Sequence, residues 1–155
     1  MSSATGTDAT PSSAAPPARR VVLLRVLVVL AIVSTAVHYA HNYAAAEMYP
    51  PVPPFFPDAQ AYRIGIVVFW PLLTALLLVG YGLYRRGRVA GARAALIVSS
   101  LAGLTTPLHF LGGVPHVPAF FMITIFTDFL TGLAILVFAL TIKPAPVART
   151  GTPAA

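Results

Sequence analysis

The sequence contains no cysteine among its 155 residues. Disulfide bonds, thiolate metal sites and catalytic cysteines are therefore excluded. Charged residues are also scarce, at 9% of the chain, whereas an average soluble domain has about 25%. So few charges cannot cover a surface that faces water. Together with a hydrophobic content of 57%, they predict an integral membrane protein.

Motifs that would assign an enzyme activity are missing too. The sequence has no glycine-rich phosphate loop, no Gly-x-Ser-x-Gly elbow and no His-Glu-x-x-His zinc motif. Acidic residues number only 4 against 10 Lys and Arg, which gives a net charge of +6. Because the basic residues lie beside apolar runs, membrane topology explains them better than binding to nucleic acid does. Whether the protein is an enzyme stays open.

What the sequence does contain is four apolar runs, each close to the roughly 20 residues that a helix needs to cross the hydrocarbon core. They predict transmembrane helices at about 21–41, 62–84, 90–111 and 118–142. The helical domain spans 19–143, and the Pro-, Ala- and Thr-rich segments 1–18 and 144–155 are predicted to be disordered tails. The predicted fold class is an all-α membrane protein, a bundle of four transmembrane helices.

The basic residues predict the orientation of this bundle. Nine of the ten Lys and Arg lie before or near the start of the first helix, in or next to the turn between the second and third, or after the fourth, and Arg63 is the exception. The positive-inside rule then places both termini in the cytoplasm and the loops 41–63 and 112–118 outside. The abundance of Arg, Ala, Val and Pro is typical of a GC-rich bacterial genome. The predicted location is therefore the bacterial inner (cytoplasmic) membrane.

A competing interpretation concerns the first helix. Arg19 and Arg20, the apolar stretch and the small residues 44–46 resemble a cleavable secretory or twin-arginine signal. The long segment with His and Tyr after the apolar run favours a retained helix, and so do the three further spans. Cleavage would remove His38 and His41 from the mature protein.

Small residues recur at four-residue spacing along the third helix: Gly91, Ala95, Ser99 and Gly103. Small side chains at that spacing allow two helix backbones to approach closely in lipid. The pattern predicts a helix-packing surface, used inside the bundle or against a second copy or a partner subunit.

Polar side chains gather at the predicted outer ends of the helices. His38, His41 and Asn42 share one face of the first helix, because they are three and four residues apart. Thr106 and His109 lie near the outer end of the third helix. The proline-rich aromatic loop 49–57 is stiff enough to cover this end as a lid, or to serve as an interfacial hook.

Asp128 is the most informative single residue. It lies about nine residues into the fourth helix, roughly 13 Å deep, with Thr124 one turn before it. An Asp near the middle of a bilayer costs about 2.5–3.5 kcal/mol, so it normally faces the bundle interior and has a partner. His109, His38 and the nearby threonines are the candidates. Helix counting places Asp128 about 6 Å deeper than the histidines, so contact requires helix tilt, a kink or a bridging water.

These residues leave three functions open. The first is a pocket in the outer half of the bundle for an apolar or amphipathic ligand such as an isoprenoid, quinone or sterol-like lipid. Its candidate ligand-binding residues are His38, His41, Asn42, Thr106, His109, Thr124 and Asp128. The second is a redox or metal protein, with His38 and His109 as axial ligands of a haem, or with His38, His41 and Asp128 around a metal. The third is an accessory subunit without chemistry. The expected partner in each case is the lipid bilayer and not nucleic acid.

Three polar segments carry a resemblance: 38–43, 104–110 and 125–129. Through them the chain resembles a family of small bacterial four-helix integral membrane proteins over residues 21–142, which implies the fold and no particular activity. The layout is also similar to the EXPERA group, which includes sterol isomerases and has buried His and acidic residues around an apolar ligand. The second helix departs from that group, because it has no buried acid where the group usually has one.

Overall fold

A computed structural model describes residues 15–143. Residues 1–14 and 144–155, which hold most of the two predicted tails, lie outside that range. The described chain forms four long helices: α1 (Ala18–Ala44), α2 (Ala59–Arg85), α3 (Val89–Leu104) and α4 (Ala119–Thr141). Two short 3₁₀ helices, Ala46–Met48 and Thr106–Phe110, follow α1 and α3. All four spans, the third counted as far as Phe110, are long and apolar enough to cross a membrane.

The observed helix ends differ from the predicted ones where side chains bond to the backbone. The second helix begins at Ala59 rather than at residue 62, because the Asp58 carboxylate accepts a hydrogen bond from the Ala61 amide at 2.7 Å. The third α-helix ends at Leu104 rather than at 111. Pro107 lacks the amide that a longer α-helix would need, so the chain tightens into a 3₁₀ turn there. The first helix extends three residues beyond each predicted end.

The helices form an antiparallel ring in which each packs on the next: α1 on α2, α2 on α3, α3 on α4 and α4 on α1. One end holds the start of α1, the α2–α3 turn and the end of α4, and we call it the terminal end. The opposite end holds the loops 45–58 and 105–118, and we call it the histidine end. Since α1 and α4 run in opposite directions side by side, each turn of one meets a fixed turn of the other.

The buried face of α1 changes chemistry along its length. Its buried residues follow one stripe at alternating spacings of four and three: Leu24, Val28, Ala31, Thr35, His38 and Asn42. That spacing is the period of 3.5 residues that keeps one face of a helix on its neighbours. The first half of the stripe is apolar, and the second half is polar. One regular pattern therefore produces an apolar core at the terminal end and a polar core at the histidine end.

The apolar core fills the terminal half of the bundle. Leu24 and Leu96 are completely buried there, and the Tyr84 ring packs edge-on against Phe138 with 5.4 Å between ring centroids. Large apolar side chains on the outer faces of the helices remain about half exposed, for example Leu30 at 52% and Leu130 at 60%. The bundle is thus apolar on its outside and polar in half of its inside, the reverse of a soluble helical domain.

The backbones of α3 and α4 are in close contact. A Cβ atom added to Gly103 would stand 2.1 Å from the backbone oxygen of Asp128, and one added to Gly132 would stand 2.9 Å from the Leu104 amide nitrogen. Ala95, Ser99 and Gly103 from the predicted small-residue surface are buried within the chain, whereas Gly91 is exposed. Most of that surface therefore packs inside the bundle.

Candidate functional site

His38 lies at the centre of the polar core. The α1 stripe turns its ring inward, where it has no exposed surface. Its Nδ1 atom lies 2.9 Å from Thr124 Oγ1 on α4, and its Nε2 atom lies 3.2 Å from His109 Nε2. The structure therefore brings together His38, His109 and Thr124, three of the residues that the sequence singles out.

His109 reaches this point because of the 3₁₀ turn after α3. The Thr106 hydroxyl bonds to the carbonyl oxygens of Gly103 at 2.7 Å and Ile125 at 3.0 Å, so it ties the turn to α4. Both bonds are buried. Thr106, a predicted ligand-binding residue, thus anchors the segment that carries His109 and does not touch the histidine cluster through these bonds.

Asn42 completes the cluster one turn beyond His38. Its Nδ2 atom lies 2.9 Å from His38 Nε2 and 3.3 Å from His109 Nε2. Its Oδ1 atom is buried and has no hydrogen-bond partner within residues 15–143. A buried acceptor without a partner normally costs about 1–3 kcal/mol, so this atom is the least satisfied part of the cluster.

The hydrogen-bond pattern assigns the tautomers of both rings. The Thr124 hydroxyl donates its hydrogen bond to the carbonyl oxygen of Phe121 at 2.7 Å. Thr124 Oγ1 therefore accepts from Nδ1–H of His38. A neutral ring that donates from Nδ1 accepts at Nε2. His38 Nε2 then accepts from Asn42 and from Nε2–H of His109, since a nitrogen pair only 3.2 Å apart needs a proton between its members.

This assignment extends the chain of hydrogen bonds to α2. With its proton on Nε2, His109 accepts at Nδ1 from the Tyr62 hydroxyl, 3.3 Å away. The bonds then run in one direction, from Tyr62 through His109 and His38 to Thr124. This series of hydrogen bonds ends on a backbone carbonyl, which cannot pass a proton on. It therefore fixes the orientation of the rings rather than forming a proton path across the bundle.

Tyr62 and Tyr49 cover the cluster on the side of loop 45–58. The Tyr49 ring centroid lies 5.7 Å from that of Tyr62 and 5.0 Å from that of His109. Burial raises the pKa of Tyr49 to about 12, so its hydroxyl stays protonated at neutral pH. Neither tyrosine was among the site residues predicted from the sequence. Their spacing along different segments gave no sign of a shared contact.

His41 lies at the rim of the cluster and not in it. Its Nδ1 atom lies 3.0 Å from the Tyr49 hydroxyl, and its ring stacks on Phe121 with 3.5 Å between centroids. Nearby, Arg63 Nη2 donates to Glu47 Oε1 at 2.7 Å and its Nε donates to the Tyr43 carbonyl at 3.0 Å. This hydrogen bond from Arg63 lowers the pKa of Glu47. The pair ties loop 45–58 to the start of α2.

Asp128 has a different partner from those expected. Its Oδ1 atom accepts a hydrogen bond from the Ser34 hydroxyl, which also lies 3.1 Å from Thr127 Oγ1. Its Oδ2 atom is buried and finds no hydrogen-bond partner among the described residues. The expected bonds to His38 or His109 do not form.

The register of α1 against α4 explains this. His38 meets Thr124, and one turn deeper Ser34 meets Asp128, so each step of four along α1 matches a step of four back along α4. The depth difference between Asp128 and the histidines therefore remains. Ser34 was missed in the sequence, although its position four residues before His38 places it on the same face.

The predicted metal and haem arrangements do not fit this geometry. Within residues 15–143, no group of three or more His, Cys, Asp or Glu could hold a metal ion. His41 bonds to Tyr49 and Asp128 to Ser34, so neither joins His38. His38 and His109 bond directly, 3.2 Å apart, whereas two nitrogens at about 2.0–2.1 Å on opposite sides of one metal would stand about 4 Å apart. As packed, they leave no room for a haem between them.

No protein-family model, no curated protein and no solved structure matches this chain. What the cluster does must therefore follow from its own geometry. That geometry is a closed set of neutral donors and acceptors on helices α1, α2 and α4 and on the turn after α3. It can orient and hold a polar group, and its one buried side-chain atom without a hydrogen-bond partner among residues 15–143 is an acceptor oxygen, Asn42 Oδ1.

Proposed function

We propose that this chain is an integral protein of the bacterial inner membrane with both termini in the cytoplasm, and that the cluster at its histidine end binds the hydroxyl head of an amphipathic, lipid-like ligand. The membrane part of the proposal is supported by four spanning-length helices with large apolar side chains on their outer faces. The orientation is supported by the basic residues, which belong to the cytoplasmic side under the positive-inside rule.

The absence of native cysteine allows a direct test of orientation. Val114→Cys would place a thiol in the loop at the histidine end, where Val114 is 66% exposed, and Arg86→Cys would place one at the terminal end. In intact bacterial cells, a membrane-impermeant maleimide is expected to label only Val114→Cys from the periplasmic side, whereas both variants react after lysis. Labelling of Arg86→Cys alone in spheroplasts would show the opposite orientation.

The observation that carries the ligand proposal is Asn42 Oδ1, which is buried without a partner among the described residues while the rest of the cluster is bonded. In the assigned tautomers, His38 Nε2 is an acceptor, so the Asn42 group that faces it must be the donor Nδ2. Rotating the amide by half a turn to give its oxygen a partner would break this hydrogen bond. A ligand that completes the cluster must therefore bring a hydrogen-bond donor. An alcohol or a quinol does so, whereas an ether or a quinone offers only acceptors.

The surroundings favour an apolar body attached to that donor. Phe121 stacks on His41, and Tyr49 and Tyr62 close the cluster with their rings. The outer surfaces of the helices are apolar, so a hydrocarbon chain can leave the site towards lipid. Entry requires the loop that carries Tyr49 to move, and Phe56 holds that loop against Gly65, where an added Cβ would stand 2.6 Å from the ring. An isoprenoid alcohol, a quinol or a sterol-like alcohol matches these features.

Farnesol and farnesyl methyl ether form a suitable pair of probes, because they share a chain and differ in the donor. Farnesol is expected to raise the Tm of the purified protein and to change the fluorescence of its single tryptophan, Trp70, while the ether does neither at the same concentration. Asn42→Leu removes the acceptor and is expected to weaken farnesol binding at least about tenfold, the effect of one lost buried hydrogen bond.

Tyr43→Leu is the matched control, since Tyr43 adjoins Asn42 but is 47% exposed. It is expected to keep the affinity for farnesol. Equal binding of the alcohol and the ether, or an Asn42→Leu variant that still distinguishes them, would contradict the proposed donor requirement. A loss of binding in both variants would point to general damage to α1 and would remove Asn42 as the reason.

A further inference from the structure

A second site is formed at the terminal end, opposite the histidine cluster. A cavity of about 190 Å³ opens there between the start of α1, the α2–α3 turn and the end of α4. Its lining includes Pro17, Arg20, Tyr84, Val89, Thr141 and Lys143. A cavity of this size admits several water molecules, which suits a small polar headgroup.

The charge around this cavity has one sign. Arg20 and Lys143 line it, and the exposed residues Arg19, Arg85, Arg86 and Arg88 lie at the same end. The acidic residues within 15–143 are Glu47 and Asp58 at the histidine end and Asp128 beside Ser34. No carboxylate among the described residues therefore neutralises the terminal end, and an anion from outside the described chain is favoured there.

The backbone adds to the positive charge around the cavity. Two long helices, α1 and α3, begin at the cavity with Pro17 and Val89 on its wall, and a helix N-terminus carries partial positive charge. The opposing C-terminus of α4 is occupied by cations: Arg20 Nη1 donates to the Thr141 carbonyl at 3.0 Å, and Arg93 donates to the carbonyls of Ala139 and Ile142. The partial negative charge of α4 is thus already met by arginine.

The position of the cavity points to a lipid rather than a soluble anion. Apolar residues exposed on the outside begin within one helical turn of it, with Val22 at 54% and Leu140 at 60% exposure. A phospholipid whose phosphate entered the cavity could lay its acyl chains along this surface. Basic pockets at the cytoplasmic ends of transmembrane helices are a known means of holding anionic headgroups.

We propose that the terminal-end cavity binds the phosphodiester headgroup of an anionic phospholipid, with Arg20 and Lys143 paired to the phosphate and the Tyr84 ring at the buried wall. The guanidinium of Arg20 is held in place by Thr141, so one of its edges is oriented before the lipid arrives. The site lies at the opposite end of the bundle from Asn42. Its failure would therefore leave the ligand proposal for the histidine cluster untouched.

Native mass spectrometry with two lipids of identical acyl chains tests this site. Palmitoyl-oleoyl phosphatidylglycerol is expected to bind the wild type at least about tenfold more tightly than the corresponding phosphatidylcholine. The double variant Arg20→Gln/Lys143→Gln is expected to lose most of this preference. Arg19→Gln/Arg86→Gln removes the same charge from the same end but from residues that do not line the cavity, and it is expected to keep the preference within about twofold.

Three results would overturn the proposal. Equal binding of the two lipids would show that no anion site exists. An equal loss in both double variants would show general attraction to a basic surface rather than a cavity site. Displacement of phosphatidylglycerol by millimolar inorganic phosphate would identify a soluble phosphate as the occupant. Since all four substituted side chains are exposed, the variants are expected to fold as the wild type does.

Discussion

Gly103→Ala is expected to lower the free energy of unfolding of the bundle by about 2–3 kcal/mol, at the upper end of the effect of overpacking. The new Cβ would stand 2.1 Å from the Asp128 carbonyl oxygen and 3.0 Å from the Gly132 Cα. Both neighbours are backbone atoms, so no side chain can turn away to make room. The helices α3 and α4 must separate instead, which also loosens the Ser34–Asp128 hydrogen bond.

Gly82→Ala is the matched control, because the same methyl group added to α2 meets no atom within 4 Å. There the higher helix propensity of alanine is expected to stabilise the protein by up to about 1 kcal/mol. Equilibrium unfolding in mixed micelles with increasing SDS would measure both variants. The changes in the free energy of unfolding of the two variants are expected to have opposite signs. A Gly103→Ala protein as stable as the wild type would contradict the close contact between α3 and α4.

The helical spans could be predicted from the sequence because a general physical limit sets their length. A bilayer of fixed thickness requires about 20 apolar residues in each crossing, and four such runs are visible without any knowledge of packing. The structure confirms four helices long and apolar enough to cross a membrane. The end of α3 was harder to place, because Pro107 permits several ways to leave a helix and only the Thr106 bonds, to Gly103 on α3 and to Ile125 on α4, select the 3₁₀ turn.

The candidate site could be predicted only in part. Helical spacing placed His38 and Asn42 on one face, and the counting of depth placed Asp128 one turn below the histidines. The register between α1 and α4 then decided which residues bond across the interface. That register depends on how α1 and α4 pack along their whole length, and no short sequence pattern predicts it. Ser34 shares a face with His38, but its bond to Asp128 and the contact of Tyr62 with His109 cannot be predicted from residue spacing.

His38→Leu is the second change expected to have a large effect, a loss of about 2–4 kcal/mol in the free energy of unfolding. The leucine fills a similar space but offers no polar atom. The Asn42 amide nitrogen loses its bond of 2.9 Å, and His109 Nε2 loses its acceptor at 3.2 Å. His109→Leu is expected to cost less, about 1 kcal/mol, because His109 and its partner Tyr62 are both only half-buried.

The double variant separates a direct bond between the two histidines from two independent losses. Removal of either residue already breaks the bond between the two rings, so the double variant should lose about 1 kcal/mol less than the sum of the single variants. His116 provides the control, since it is an exposed histidine in the loop before α4. His38→Leu combined with His116→Leu is expected to be additive within about 0.5 kcal/mol. Additivity of the His38 and His109 changes as well would mean that the two rings do not share a proton, and the tautomers assigned to the cluster would then be wrong.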